Sequence, residues 1–230
     1  MRRSDRDLVR ALPLFHDTGE AHFDALMRAA FLQRFPPHVV LIEEGQSPDF
    51  LHIVIEGTVE LFGRSAGRET TIDIIRPVTT FILAAVIHDD VYLKSARTLA
   101  PARILMLPAA SVRDLFDRDA HFARAIVGEL ASRYRGLVRA LKDQKLRNGG
   151  ERLANFILAC DREQGGRGRV TLGYDKRTLA ARLGMTSENL SRNLGGLAQH
   201  GVASNGREIV ITDPVALRQW AKPDPLIDGF

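Results

Sequence analysis

From Asp175 to Val202 the chain reads DKRTLAARLGMTSENLSRNLGGLAQHGV. Leu179, Ala180 and Leu183 close a first helix, and Gly184 follows as its C-terminal turn. Thr186 or Ser187 caps a second helix that runs to Leu197. Leu190, Leu194 and Leu197 share one face of that helix and dock it. Glu188, Ser191 and Arg192 share another face near its N-terminal end, the end that meets base edges in a helix-turn-helix. Arg is the usual bidentate partner of guanine O6 and N7, and Glu can accept from cytosine N4. Around this trio stand Lys176, Arg177, Thr186, Ser187, Asn189 and Asn193, all able to bond phosphate. Ala203 to Ile211 then reads as a hairpin around Asn205-Gly206, which would form a wing. Two helices packed inside a core would not leave Glu, Ser and Arg together on one flank beside so many small polar groups. The pattern predicts a winged helix-turn-helix that binds double-stranded DNA.

Upstream, Asn148-Gly149-Gly150 interrupts a helical pattern and marks a domain boundary. Glu151 to Glu163 resumes a helix with Leu153, Phe156, Ile157 and Cys160 on one face, and Gln164 to Gly168 is a turn. Before the boundary, Ala110 to Arg147 reads as one long helix. Within it Ala123, Val127, Leu130, Tyr134, Leu137 and Leu141 alternate at steps of four and three, an a/d seam. Arg124, Arg133, Arg135, Arg139 and Lys142 lie off the seam. Such a stripe serves either a helix packed on its own domain or a two-stranded coiled coil at a dimer axis. The two-fold symmetry of helix-turn-helix sites favours the dimer.

From Val39 to Pro108 the period shortens. VVLI, FLHIVI, TVELF, TTIDII, YLKSARTLA and ARILML are apolar runs bounded by turn residues. Val59 and Leu61 alternate with Glu60, the two-residue period of a half-buried strand. Short strands at this spacing predict a barrel or sandwich. Arg6 to Arg34 reads as helical, through Leu8, Leu12, Leu14, Phe23, Leu26 and Phe31, with Pro13 breaking an early turn. The predicted organisation is a sensor barrel with flanking helices over 1–109, a dimerisation helix over 110–147 and a DNA-binding domain over 148–230.

Composition bounds the function. Of 230 residues, 45% are hydrophobic and 26% charged, the profile of a soluble globular chain. No apolar run approaches a membrane span. The basic start, MRRSDRDLVRALPLF, lacks the apolar core of a signal peptide. One cysteine, Cys160, excludes an internal disulfide and any cluster built from several cysteines, and suits a reducing cytoplasm. From Leu146 to Lys222 there are 12 Lys and Arg against 7 Asp and Glu, but 20 against 19 before it. The positive excess sits with the helix-turn-helix, as phosphate binding requires. No phosphate-binding loop, metal spacing or nucleophile elbow points to an enzyme. The adjacent carboxylates Glu43-Glu44 and Asp89-Asp90 read as surface turns.

The segment from Asp175 through the wing resembles the DNA-binding domain of the CRP/FNR family of transcription regulators. GERLANFILAC, Gly150 to Cys160, resembles that family's first helix after the hinge. PDFLHIVIEGTVELF, Pro48 to Phe62, resembles its barrel signature, with Gly57 between two strands. The order of barrel, long helix and hinge also matches, so the resemblance covers nearly the whole chain. It implies an α+β fold: an N-terminal double-stranded β-helix (a jelly roll of the cyclic-nucleotide-binding type), a long dimerisation helix and a C-terminal winged helix-turn-helix. It implies a homodimer, RNA polymerase as partner and a cytoplasmic regulator. Glu188, Ser191 and Arg192 match the E-x-x-S-R pattern of the fumarate-nitrate branch. The catabolite branch has a second arginine where Ser187 stands. The implied target is a TTGAT-type half-site in an inverted repeat.

The effector is less sharply marked. Cyclic-nucleotide binders of the family carry Gly-Glu and then Arg-Ser or Arg-Thr in the barrel. Here Pro77 to Tyr92 has no Gly, Glu or Arg, and Asp89 and Asp90 stand where a cation is needed, which argues against cyclic AMP. FILAAVIHDDVYLKSARTLAPARILMLP, Phe81 to Pro108, resembles the nitric-oxide-responsive, denitrification-type branch, in which haem is the implied cofactor. Haem needs an axial ligand, most often His, and His16, His52 and His88 are candidates. Each reads equally well as an ordinary core or surface histidine. The expected pocket residues are Phe81, Leu83, His88, Tyr92 and His52. Two alternatives stay open: a regulator of the same family without an effector, and a barrel sensor that acts through protein–protein contacts.

Overall fold

In the computed structural model, which describes residues 3–229, the run FLHIVI forms strand β3 (Phe50–Glu56). Its side chains alternate between two covered faces, which explains why the run is apolar but for His52. Leu51, Ile53 and Ile55 join one core; Val54 joins another. Two four-stranded antiparallel sheets are built around it. One has the order β1-β8-β3-β6, from Phe31–Phe35, Ala102–Pro108, β3 and Thr79–Phe81. The other has the order β2-β7-β4-β5, from Val40–Ile42, Ser95–Thr98, Val59–Ser65 and Arg68–Ile75. The core between them holds Ile42, Val54, Val59, Leu61, Ile75, Phe81 and Ile104. This is the expected jelly-roll barrel.

Helices cover the outer face of the first sheet: α1 (Arg3–Arg10), α2 (Glu20–Ala29), α3 (Leu83–His88), α4 (Ala109–Arg118) and the start of α5 (Ala120–Leu146). Phe15 ties these elements together, its ring 5.8 Å from Phe23 and 5.6 Å from Phe122. Gly57 turns β3 into β4 at a φ of +89°, and a Cβ there would collide with the Pro101 carbonyl and Ala102. No other residue type satisfies both demands.

Several expected boundaries move. The helical reading of Arg6 to Arg34 ends at Ala29, because Phe31–Phe35 pairs with β8 in the register Phe31↔Met106 to Phe35↔Ala102. The long helix from Ala110 to Arg147 is two helices. Asp119 separates them and caps the second, accepting from the N–H groups of His121 and Phe122 at 3.0 Å each. YLKSARTLA contributes a strand only from Ser95, and Phe81 to Ile87 is the end of β6 followed by α3.

The chain divides into two compact units, one up to Tyr134 and one from Arg135. The second begins with the remainder of α5. Next comes α6 (Gly149–Glu163), opened by a capping box between Asn148 and Glu151. The rest is β9 (Arg169–Thr171), α7 (Lys176–Arg182), α8 (Ser187–Leu197), β10 (Val202–Asn205), β11 (Glu208–Ile211), α9 (Pro214–Ala221) and α10 (Pro225–Asp228). The wing is a three-stranded sheet, order β10-β11-β9. Sequence reading found its hairpin and missed β9, whose three residues are too few to show a period. No helix among the described residues is long and apolar enough to cross a membrane.

Candidate nucleic-acid interface

The α7–turn–α8 unit follows from local chemistry. Asp175 caps α7, accepting from the Thr178 N–H at 2.8 Å; that bond helps hold its carboxyl below the usual range. Gly184, at a φ of +63°, ends the helix, and the Met185 N–H reaches back to the Ala180 carbonyl at 2.9 Å. Thr186 Oγ1 then accepts from the Asn189 N–H at 3.2 Å and starts α8. Leu190, Leu194 and Leu197 are buried and seat α8 on α6.

The opposite flank of α8 is bare. Ser187, Glu188, Asn189, Ser191 and Arg192 are exposed, as is Thr186. Arg192 Nη2 lies 2.9 Å from Glu188 Oε1, with the two side chains 71% and 82% exposed. An exposed pair of this kind contributes only about 0.3–0.5 kcal/mol, so it can open at little cost when a base edge offers both groups partners. Ser191 Oγ donates to the Ser187 carbonyl at 3.0 Å. Arg177 is exposed and Lys176 half-buried in the first turn of α7. Asn193 differs from the rest: it is half-buried, and its amide donates to Met185 Sδ at 3.7 Å. The wing adds cations that sequence reading passed over. Arg167, Arg169 and Arg207 are exposed, and Arg207 lies close enough to Asp175 to help lower its pKa.

Of the seam residues on α5, Val127, Tyr134, Leu137 and Leu141 are 61%, 69%, 66% and 55% exposed. Leu130 instead packs partly on the core beneath α4 and α5, and Ala123 is half-buried.

The five expected pocket residues separate. His52 and Tyr92 line a half-open pocket of about 300 Å³ at one end of the barrel, with Gln33, Gln46 and Asp49 at its exposed rim. Phe81 stacks on His52, ring centroids 5.2 Å apart, in the core between the sheets. Leu83 belongs to the core on the other side of the first sheet, and His88 is exposed at the end of α3. His16 is also exposed. Asp89 pairs with Arg113 at 2.8 Å, Asp90 accepts from the Val91 N–H at 2.7 Å, and both are exposed. The two carboxylates therefore lie on the surface, in keeping with their reading as a surface turn, and are not placed to repel a phosphate inside the barrel. The cations that sequence reading did not find stand just outside the segment it searched. Lys94 is half-buried near Arg133 of α5, and burial lowers its pKa. Arg133 Nη2 donates to the Thr80 carbonyl at 2.7 Å.

Haem does not suit the cavity. At about 300 Å³ it lies at the bottom of the range for small-molecule sites, too little to enclose a tetrapyrrole. Among the described residues, no group of three or more His, Cys, Asp or Glu is placed to hold a metal ion.

Comparison with known proteins matches this architecture. Residues 32–119 match the family described as Cyclic nucleotide-binding domain, and residues 151–220 match the Crp-like helix-turn-helix domain. The chain is a CRP/FNR-type regulator. Transcription regulation through DNA, not catalysis, is what a protein of this type does. No curated protein matches the chain significantly. Among solved structures, a regulatory protein from Silicibacter pomeroyi DSS-3 is 28% identical, with 96% of this chain and 100% of that one covered and a TM-score of 0.64. FixK2 from Bradyrhizobium japonicum is 21% identical over 83% and 96% of the two chains, TM-score 0.73. A CRP/FNR-family regulator from Eubacterium rectale ATCC 33656 is 18% identical over 92% and 99%, TM-score 0.74. The last two show a shared fold.

Proposed function

We propose that this CRP/FNR-type regulator binds a TTGAT-type inverted repeat as a homodimer, with one α8 in each major groove. The observation that carries the proposal is the exposed Glu188–Arg192 pair on a capped helix braced from behind by three buried leucines. Arg192 takes the half-site guanine, Glu188 accepts from a cytosine N4 and Ser191 fits between them. Lys176, Arg177, Thr186, Ser187 and Asn189, joined by Arg169 and Arg207, hold phosphates and fix the register. Asn193 supports the turn through Met185. The exposed stripe Val127, Tyr134, Leu137 and Leu141 is the dimer seam, because four large apolar side chains at helical spacing call for a partner surface. RNA polymerase is the further partner of such a regulator.

Nitric-oxide control through haem is the finer reading that the family branch suggests. The small volume of the pocket beside His52 counts against it, and no step is assigned to haem. Footprinting on a duplex with two TTGAT-type half-sites tests the main proposal. The expected result is two protected half-sites about 10–10.5 base pairs apart, filled by two protomers. Protection that does not depend on the half-site sequence would overturn it.

A further inference from the structure

The end of α5 does not stand apart from the winged helix, since residues 135–230 form one compact unit. Part of what joins them is polar. Arg147, just before the Asn148-Gly149-Gly150 break, points its guanidinium at the C-terminal helix α10. Its Nη1 donates to Asp228 Oδ1 at 2.7 Å and its Nη2 to Asp228 Oδ2 at 2.6 Å. This two-pronged pair lies between side chains only 7% and 9% exposed. Asp143, one turn earlier in α5, pairs with the same Nη1 at 3.0 Å.

The contacts continue past the break. Arg152 of α6 donates from Nη1 to the Arg147 carbonyl at 2.7 Å and from Nε to the Leu183 carbonyl at 3.0 Å. Leu183 ends α7, directly before the turn into α8. The Gln144 side chain of α5 lies against Gly184 in that turn, where a Cβ would come within 2.7 Å of its Oε1. A line of hydrogen bonds thus runs from α10 through Arg147 and Arg152 to the end of α7.

α10 has little of its own to hold it. It has four residues, far fewer than the ~12–15 that an isolated helix needs in water. None of the four is fully buried, and Leu226 is 72% exposed. Its order converges on one carboxylate: Asp228 Oδ2 also accepts from the Asp224 N–H at 2.7 Å, so the group that receives Arg147 closes the helix. A segment with so little apolar anchorage opens more readily than the core around it, and it docks through a charge pair in which each partner needs the other.

We propose that α10 is a strap. Docked on Arg147, it fixes the angle between the end of α5 and the helix-turn-helix; undocked, it frees that joint. The strap stands on these contacts alone, and only its effect on DNA rests on the reading of α8 as the recognition helix.

The test compares the full chain with Asp228→Ala and with a chain lacking residues 223–230. Hydrogen exchange read by mass spectrometry follows residues 147–152, where the amides of Arg147, Asn148, Glu151 and Arg152 are hydrogen-bonded around the break. Both variants should exchange there about tenfold faster or more, while the later turns of α6 and the wing keep their protection. Leu226→Ala, on the exposed side of the same helix, should match the unmutated chain. Unchanged exchange at the joint in both strap variants would overturn the proposal. So would faster exchange spread evenly over the domain, which would make Asp228 a general stabiliser. On a TTGAT-type palindrome both variants should bind about tenfold more weakly, from lost pre-organisation, although neither alters α7 or α8. Unchanged affinity beside a loosened joint would refute the strap's part in placing α8. If the unmutated chain selects no duplex, the DNA reading fails, and the exchange result still decides the strap.

Discussion

In the proposed recognition, Arg192 and Glu188 carry the sequence preference: their pairing at 2.9 Å is weak in water, and a base edge would replace it. Lys176 and Arg177 do a different job. Replacing either with Ala should weaken binding to all duplexes alike and reduce the slope of log K against log salt by about one for each lost contact. A loss confined to one DNA sequence would refute their assignment to phosphate. His52 offers a third test. Burial lowers its pKa from 6.5 to about 4, with a backbone contact at Phe50 opposing the shift in part. As pH falls, the unfolded chain therefore takes up this proton before the folded one does. Stability should drop between pH 6.5 and about 4, by up to about 3 kcal/mol, and His52→Gln should flatten that part of the profile. Parallel profiles for the two proteins would contradict the placement. Sequence reading could place Glu188, Ser191 and Arg192 together on the exposed flank of α8 because helix periodicity is plain there. It could not sort the five pocket residues, because the apolar run that starts at Phe81 leaves its strand and turns into α3, which carries Leu83 and His88 away from the space between the sheets.

The elements differ in how far local rules decide them. α8 is legible in sequence from its Thr186 cap and its leucine spacing, yet it carries Gly195 and Gly196 in its interior. A Cβ added at Gly195 meets nothing within 4 Å, and the backbone there is helical. Gly195→Ala should therefore stabilise the domain by about 0.4–1 kcal/mol, read as a rise in denaturation midpoint. A fall would show that the site is closer packed than it looks. The start of α5 was not legible as a boundary. Asp119 sits in an unbroken helical pattern, and only its cap bonds, together with His22 at 2.9 Å, reveal the break. β1 was misread for a related reason: Phe31 to Phe35 has no strong period of its own and becomes a strand by pairing with β8. Such long-range pairing lies outside any local window.

At the scale of the whole molecule, the order of barrel, long helix and winged helix was legible because each module has its own period. The proposed dimer rests on α5. Leu137 is the better probe of the dimer than Leu130, since Leu130 also packs in the protomer's own core. Leu137→Asp should leave the fold intact by circular dichroism and yield monomers in ultracentrifugation. A persistent dimer would move the interface elsewhere. The central claim is sequence-selective DNA recognition by α8, and it is tested most directly by fluorescence anisotropy at fixed salt. Wild type and Arg192→Ala are titrated with a TTGAT-type palindrome and with the same duplex carrying substituted half-site guanines. The account predicts that wild type separates the two duplexes by about 1–3 kcal/mol per half-site and that Arg192→Ala does not separate them. Equal discrimination by both proteins would contradict it.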